Sequence, residues 1–198
     1  MALNVPYRPS ARPQSLVLSL SIGLVALGVA LAPLSIPLGP ARVAPQQHMI
    51  NALAGVLVGP WYGMLVGCII AIIRNAFGTG TILAFPGSVF GALVVGLVYW
   101  YGRRSDYAAL LEPIGTVVIG ATIGYLMLAP LGPNAHVKVF GFMAANAAPP
   151  AGKLWGLVSF PGLFGLWAIF ASSSIPGSIL GFVLLKALRR AGAVPDRS

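Results

Sequence analysis

Acidic residues are nearly missing from this chain: three Asp and Glu stand among 198 residues, against 12 Lys and Arg. Charged residues make up 8% and hydrophobic residues 58%, whereas a soluble domain carries about a quarter charged residues. That shortage excludes an ordinary water-soluble domain and marks an integral membrane protein. Cysteine is as scarce. The single Cys68 lies inside an apolar run, which excludes an internal disulfide framework and reads as a small buried hydrophobe. Metal-ligand spacing is lacking too, because His48 and His136 stand far apart with no carboxylate spaced to join either. No Gly-x-x-x-x-Gly-Lys-Ser/Thr phosphate loop occurs, and Gly78-Thr79-Gly80 follows a helical run rather than a strand. The chain therefore does not hydrolyse ATP by itself. Its net charge of +9 gathers on no basic face and interleaves with no aromatic stripe, which excludes nucleic acid as a partner.

What the chain does have is apolar length. A spanning helix needs roughly 20 mostly apolar residues, and the runs predict helices at about 16–34, 48–58, 60–74, 87–101, 108–130 and 169–188. Gly59-Pro60-Trp61-Tyr62 divides the second from the third. The run 155–188 is too long for one helix and contains Pro161 and Pro176, so a re-entrant or surface segment is expected before the last span. The expected architecture is an all-α integral membrane bundle of six transmembrane helices in one domain, 15–190. Residues 1–14, with three prolines, read as a disordered cytoplasmic tail, and 191–198 as a second one. Ala30-Leu31-Ala32 imitates a signal-peptidase site. The apolar stretch is long for a signal peptide, however, and Pro33 would adjoin the cut, so an uncleaved first helix is expected.

Short cytoplasmic loops collect Lys and Arg. With both termini inside, Arg8, Arg12, Arg103, Arg104, Lys186, Arg189, Arg190 and Arg197 face the cytoplasm, leaving Arg42, Arg74, Lys138 and Lys153 outside. The even helix count agrees with that orientation. Small residues recur at four-residue spacing, as at Gly63 and Gly67, Gly87 and Gly91, Gly120 and Gly124, and Gly177 and Gly181. Such spacing lets backbones approach where lipid removes the hydrophobic drive between helices. Ala26 and Ala30 are the best partner-docking candidates, because helix 1 has no polar side chain beyond its serines. Pro86-Gly87-Ser88 with Gly91 also echoes Pro176-Gly177-Ser178 with Gly181; a duplicated unit or shared helix-start chemistry explains it equally.

On this topology the polar side chains share one side. Arg42, Gln46, Gln47, His48 and Asn51 fall before or within the start of helix 2. Arg74, Asn75, Thr79, Thr81, Phe85 and Ser88 join helices 3 and 4, and Asn134, His136 and Asn146 follow helix 5. Polar groups at membrane depth usually face a bundle interior or a water-filled cavity, and glycines permit irregular backbone there. The expectation is a pocket open to the outside. Amides, hydroxyls, imidazole and Phe85 suit a small neutral or weakly polar ring, and no acid is placed to hold a cation. The bland readings are that Arg74 snorkels to the interface and that Gln46 and His48 cap helix 2. Glu112 is expected in the inner half of helix 5, in an ion pair or hydrogen bond near Arg103 and Arg104. A hydrolase pair of Ser88 and His48 is the weaker reading, since Ser88 fits a helix start better.

The strings GPARVAPQQHMINALAGVLVGPWYG (39–63) and IIRNAFGTGTILAFPGSVFGALVVGL (72–97) resemble the ThiW family. Its members are substrate-binding S components of energy-coupling factor (ECF) vitamin transporters, a class of ABC transporter. Ala26-Leu27-Gly28-Val29-Ala30 is similar to the Ala-x-x-x-Ala by which S components dock their T component. The resemblance implies a multi-pass protein of a prokaryotic cell membrane that binds a thiamine precursor, hydroxyethylthiazole, at the outer face. It further implies a partner T component and two ATPase subunits that consume ATP, with no cofactor and no enzymatic activity in this chain. A stand-alone proton-coupled carrier, with Glu112 as the proton site, is the alternative.

Overall fold

The computed structural model describes residues 13–38, 41–80, 83–128 and 162–194. Helix α1 (Gln14–Ala30) comes first, then a 3₁₀ turn (Ala32–Leu34) and an antiparallel ribbon of β1 (Ile36–Leu38) and β2 (Ala41–Val43). Helices α2 (Pro45–Val58), α3 (Pro60–Ala76) and α4 (Ala84–Tyr101) follow. The next segment changes winding as it rises: 3₁₀ over Asp106–Leu111, π over Ile114–Gly120, and α5 over Ala121–Leu128. Helix α6 (Gly162–Arg190) closes the described chain.

Three segments are long and apolar enough to cross a membrane: Ala84–Tyr101, Asp106–Met127 and Leu163–Arg190. Helices α1 and α3, at 17 residues each, are apolar but shorter. Among the described residues the fold is all-helical apart from the three-residue strands.

Helix α2 is the axis of the bundle. Every residue from Ile50 to Val58 is buried, and α3, α4 and α6 pack around it. Apolar burial of this kind works through close packing, since lipid tails are as apolar as leucine. Glycine makes the closeness possible: a Cβ added at Gly177 or Gly181 of α6 would collide with α2. Gly59, between α2 and α3, takes φ 94°, a left-handed conformation that favours glycine, and Pro60 then starts α3 with its preset φ.

Several expectations are corrected. Helix 1 ends at Ala30 rather than about 34, because Pro33 cannot donate to an α-helical ladder and shapes a 3₁₀ turn instead. No re-entrant segment occupies 162–168; those residues are already helical. Pro176 does not break α6, for within a packed bundle it removes a single backbone hydrogen bond. It stands in mid-helix, whereas Pro86 lies in the first turn of α4, so shared helix-start chemistry does not explain the Pro-Gly-Ser echo. Ser88 is likewise four residues inside α4, whose N-cap is Leu83.

The helices alternate in direction. Helix α1 finishes near Gln46, which donates to the Leu31 carbonyl at 3.2 Å. At the other end of the bundle, Arg189 near the end of α6 meets Asp106 and Tyr99. The two ends carry different chemistry, and the recess lies at the first of them.

Candidate functional site

The recess forms where α2 begins, where α3 turns into α4, and where α6 passes both. Gln47, His48, Arg74, Thr79 and Ser88 line it together with Ile169, Phe170 and Ser173 of α6. About 620 Å³ of empty space lies in it, counting the open solvent at its mouth. Leu83, Ala121 and Leu166 pack into an apolar cluster with Trp167 and Phe170 beside it.

The order of polar groups follows from helix spacing. Gln47 and Asn51 stand one turn apart on α2, and Gln47 donates through Nε2 to Asn51 Oδ1 at 3.3 Å. Arg74 donates through a terminal nitrogen to Gln47 Oε1 at 3.2 Å, and Asn51 donates through Nδ2 to Glu112 Oε1 at 3.0 Å. A guanidinium only donates and a carboxylate accepts, so both amides must point the same way along this chain. Arg74 also holds the turn at its own helix end by donating to the Thr79 carbonyl at 3.2 Å. It is 5% exposed and committed to these partners, so it does not snorkel to an interface.

Glu112 is where the expectation fails most plainly. It is completely buried beneath the recess, with neither Arg103 nor Arg104 among its partners. His48 Nδ1 lies 2.9 Å and Thr116 Oγ1 2.6 Å from Oε1, while Ser174 donates to Oε2. The reason is the winding of the segment. A 3₁₀ stretch rises about 2.0 Å per residue against 1.5 Å in an α-helix, so Asp106–Leu111 carries the chain about 3 Å deeper than expected. The π stretch that follows is of a kind often found at functional sites. Asp106, not Glu112, takes the basic partners, receiving Arg189 Nε at 2.9 Å. Gly91 of α4 leaves room for the carboxylate; a Cβ there would run into Glu112 Oε1 and Thr116 Oγ1.

The structure brings together Gln47, His48, Arg74, Thr79 and Ser88, with Asn51 one hydrogen bond behind them. Gln46 turns instead to the Leu31 carbonyl, and Asn75 donates to the Ala71 carbonyl of its own helix at 2.8 Å. Phe85 is half-buried outside the lining, and Phe170 supplies the aromatic face in its place. The capping role for Gln46 and His48 fails as well: α2 has no side-chain cap, and Ser173 accepts the Ala44 N–H at 2.8 Å. The Arg42 side chain, Thr81, Asn134, His136 and Asn146 lie outside the described residues. Sequence reasoning misses Phe170, Ser173, Ser174 and Thr116. The signal is Ser172-Ser173-Ser174, three hydroxyls in an otherwise apolar run that must face something polar.

Chemically, the recess offers donors from Arg74 and the hydroxyls, one imidazole, and an aromatic wall. His48 and Glu112 match two members of a hydrolytic triad in type, but Ser88 makes no hydrogen bond to His48. Ser88 therefore lacks the attached base that a serine nucleophile needs. Ala26 and Ala30 are both exposed on α1, whereas Leu24 and Gly28 on its other face are buried against the bundle.

Compared with family models, the chain matches one described as thiamine-precursor transporter protein (ThiW) over residues 18–151, two-thirds of its length. Comparison with curated proteins and with solved structures gave no match.

Proposed function

Because the chain belongs to the ThiW family of thiamine-precursor transporters, we propose that it is the substrate-specificity subunit of an ECF-type transporter and that its recess binds hydroxyethylthiazole. It is a membrane-embedded transporter protein and not an enzyme. The observation that carries the finer reading is the convergence of Gln47, His48, Arg74 and Thr79, from two separated polar segments, on one recess with an aromatic wall. A neutral ring with a hydroxyl arm finds stacking on Phe170 and hydrogen bonds at either side.

The orientation follows the charge distribution. Arg103, Arg104, Lys186, Arg189 and Arg190 cluster at the end of the bundle opposite the recess, which favours a cytoplasmic location for that end and an outward-facing recess. The six alternating helical segments among the described residues then serve as six spans with both termini inside, in a prokaryotic cell membrane. With no phosphate loop in this chain, a T component and two ATPases supply the energy. The exposed small face of Ala26 and Ala30 is where the T component docks.

Titration of the purified chain with hydroxyethylthiazole by calorimetry tests the recess. Combined Gln47→Ala, His48→Ala and Arg74→Ala is expected to abolish saturable binding; unchanged affinity would remove the recess from consideration. Ala26→Trp or Ala30→Trp is expected to stop uptake in cells while leaving binding intact, and normal transport by both would sink the docking assignment.

Glu112, buried directly behind His48 of the recess, supports a second reading. A carboxylate there suits a proton-coupled carrier that works alone. Uptake into vesicles lacking any ATPase, driven by a pH gradient and lost in Glu112→Gln, would make that reading win.

A further inference from the structure

Glu112 has four hydrogen-bonding neighbours among the described residues, and their arrangement restricts the chemistry of His48. Oε1 already accepts from Asn51 Nδ2, and Thr116 Oγ1 lies within 2.6 Å of it. Among the described residues Oε2 faces the hydroxyl of Ser174 alone. An oxygen so supplied with donors acts as an acceptor toward the imidazole as well, so His48 Nδ1 carries the hydrogen in their 2.9 Å contact. The other ring nitrogen, Nε2, makes no hydrogen bond to any described residue, and the imidazole lines the recess. Across that recess, Arg74 can only donate.

Resting on the reading of the recess as the substrate site, we infer that Glu112 is a positioning residue: it fixes the proton of His48 on Nδ1 so that Nε2 meets the substrate as a hydrogen-bond acceptor. The substrate class this selects is a small uncharged ring with one hydroxyl or N–H donor for Nε2 and an acceptor for Arg74. A molecule of the same shape without the donor leaves a desolvated acceptor unpaired, which is the strongest form of polar discrimination.

The carboxylate's charge is dispensable in this role. In Glu112→Gln the amide oxygen can take the place of Oε1 and keep its donors. The new NH₂ then faces Ser174, whose hydroxyl rotates to accept it. Glu112→Met removes the acceptor altogether.

The test joins ¹⁵N-histidine NMR with binding titrations on the purified full chain, using hydroxyethylthiazole and its O-methyl ether. The His48 signals are assigned by their loss in His48→Gln. Expected for the wild type at neutral pH are a protonated Nδ1, a bare Nε2, and an ether that binds about tenfold more weakly than the alcohol, the size of one lost hydrogen bond. Glu112→Gln keeps both the tautomer and the discrimination, whereas Glu112→Met loses both. A proton on Nε2 in the wild type, or equal affinity for alcohol and ether, overturns the inference. Glu112→Met with the wild-type tautomer and discrimination does so too. Should Glu112→Met fail to fold, the wild-type spectrum and the ether decide without it. If the wild type binds neither compound, the reading of the recess as a hydroxyethylthiazole site falls, while the spectrum still upholds or sinks the positioning of His48.

Discussion

Asp106 and Glu112 stand six residues apart in sequence, and both are completely buried, yet they do different work. Asp106 accepts Arg189 Nε on both oxygens, at 2.9 and 3.0 Å, and has Lys186 at 3.9 Å. Arg189 in turn donates to the Tyr99 hydroxyl at 2.9 Å. This cluster ties the end of α6 to α4 and to the 3₁₀ turn. Among the described residues Glu112 has no Arg or Lys beside it; its neighbours are an imidazole, an amide and two hydroxyls. A carboxylate locked between fixed cations is a structural clamp. One surrounded by neutral groups can orient them, and through His48 and Asn51 that orientation reaches the recess.

Three substitutions test the contrast. Asp106→Ala is expected to have the largest effect on stability, about 3–5 kcal/mol, because it leaves Arg189 without its buried partner. Thermal unfolding in detergent measures it, and thiazole affinity below the melting temperature should stay within about twofold. An affinity loss larger than that would erase the distinction between the two acids. Gly91→Ala comes next. Its methyl group enters the space of Glu112 Oε1 and Thr116 Oγ1, with an expected cost of about 1–3 kcal/mol in overpacking. Here affinity should fall together with stability, because the displaced carboxylate no longer holds His48; unaltered binding would detach Glu112 from the recess. Ser173→Ala is the mildest. It orphans the buried Ala44 N–H, costing about 1 kcal/mol, and loosens the entrance of α2 without touching Glu112. A melting point unchanged from wild type would show that water replaces the hydroxyl.

Much of the recess is legible in the sequence because its residues lie in two compact polar strings, one at the start of α2 and one running from the end of α3 into α4. Polar groups bracketed by apolar runs must converge somewhere other than lipid, which places Gln47, His48, Arg74, Thr79 and Ser88 together. Side-chain direction is less legible. Asn75 and Phe85 sit in the correct stretch but point away, since one residue on a helix rotates the side chain by about 100°. The contribution of α6 is hidden by two prolines that suggest a broken segment. Glu112 stands out as the lone acid within the spans expected from sequence, but proximity in sequence assigns it the wrong neighbours, because Arg103 and Arg104 are not among its partners.

The sequence by itself determined membrane embedding, the helical class, the absence of a nucleotide-binding loop and the grouping of polar residues. All of these depend on composition and local pattern. Only the tertiary structure decided which acid clamps and which one sits below the recess. That choice hangs on a change from 3₁₀ to π winding and on glycines such as Gly91 that admit a carboxylate between helices. Depth along a helix axis accumulates from its winding, and no residue type announces that winding in advance.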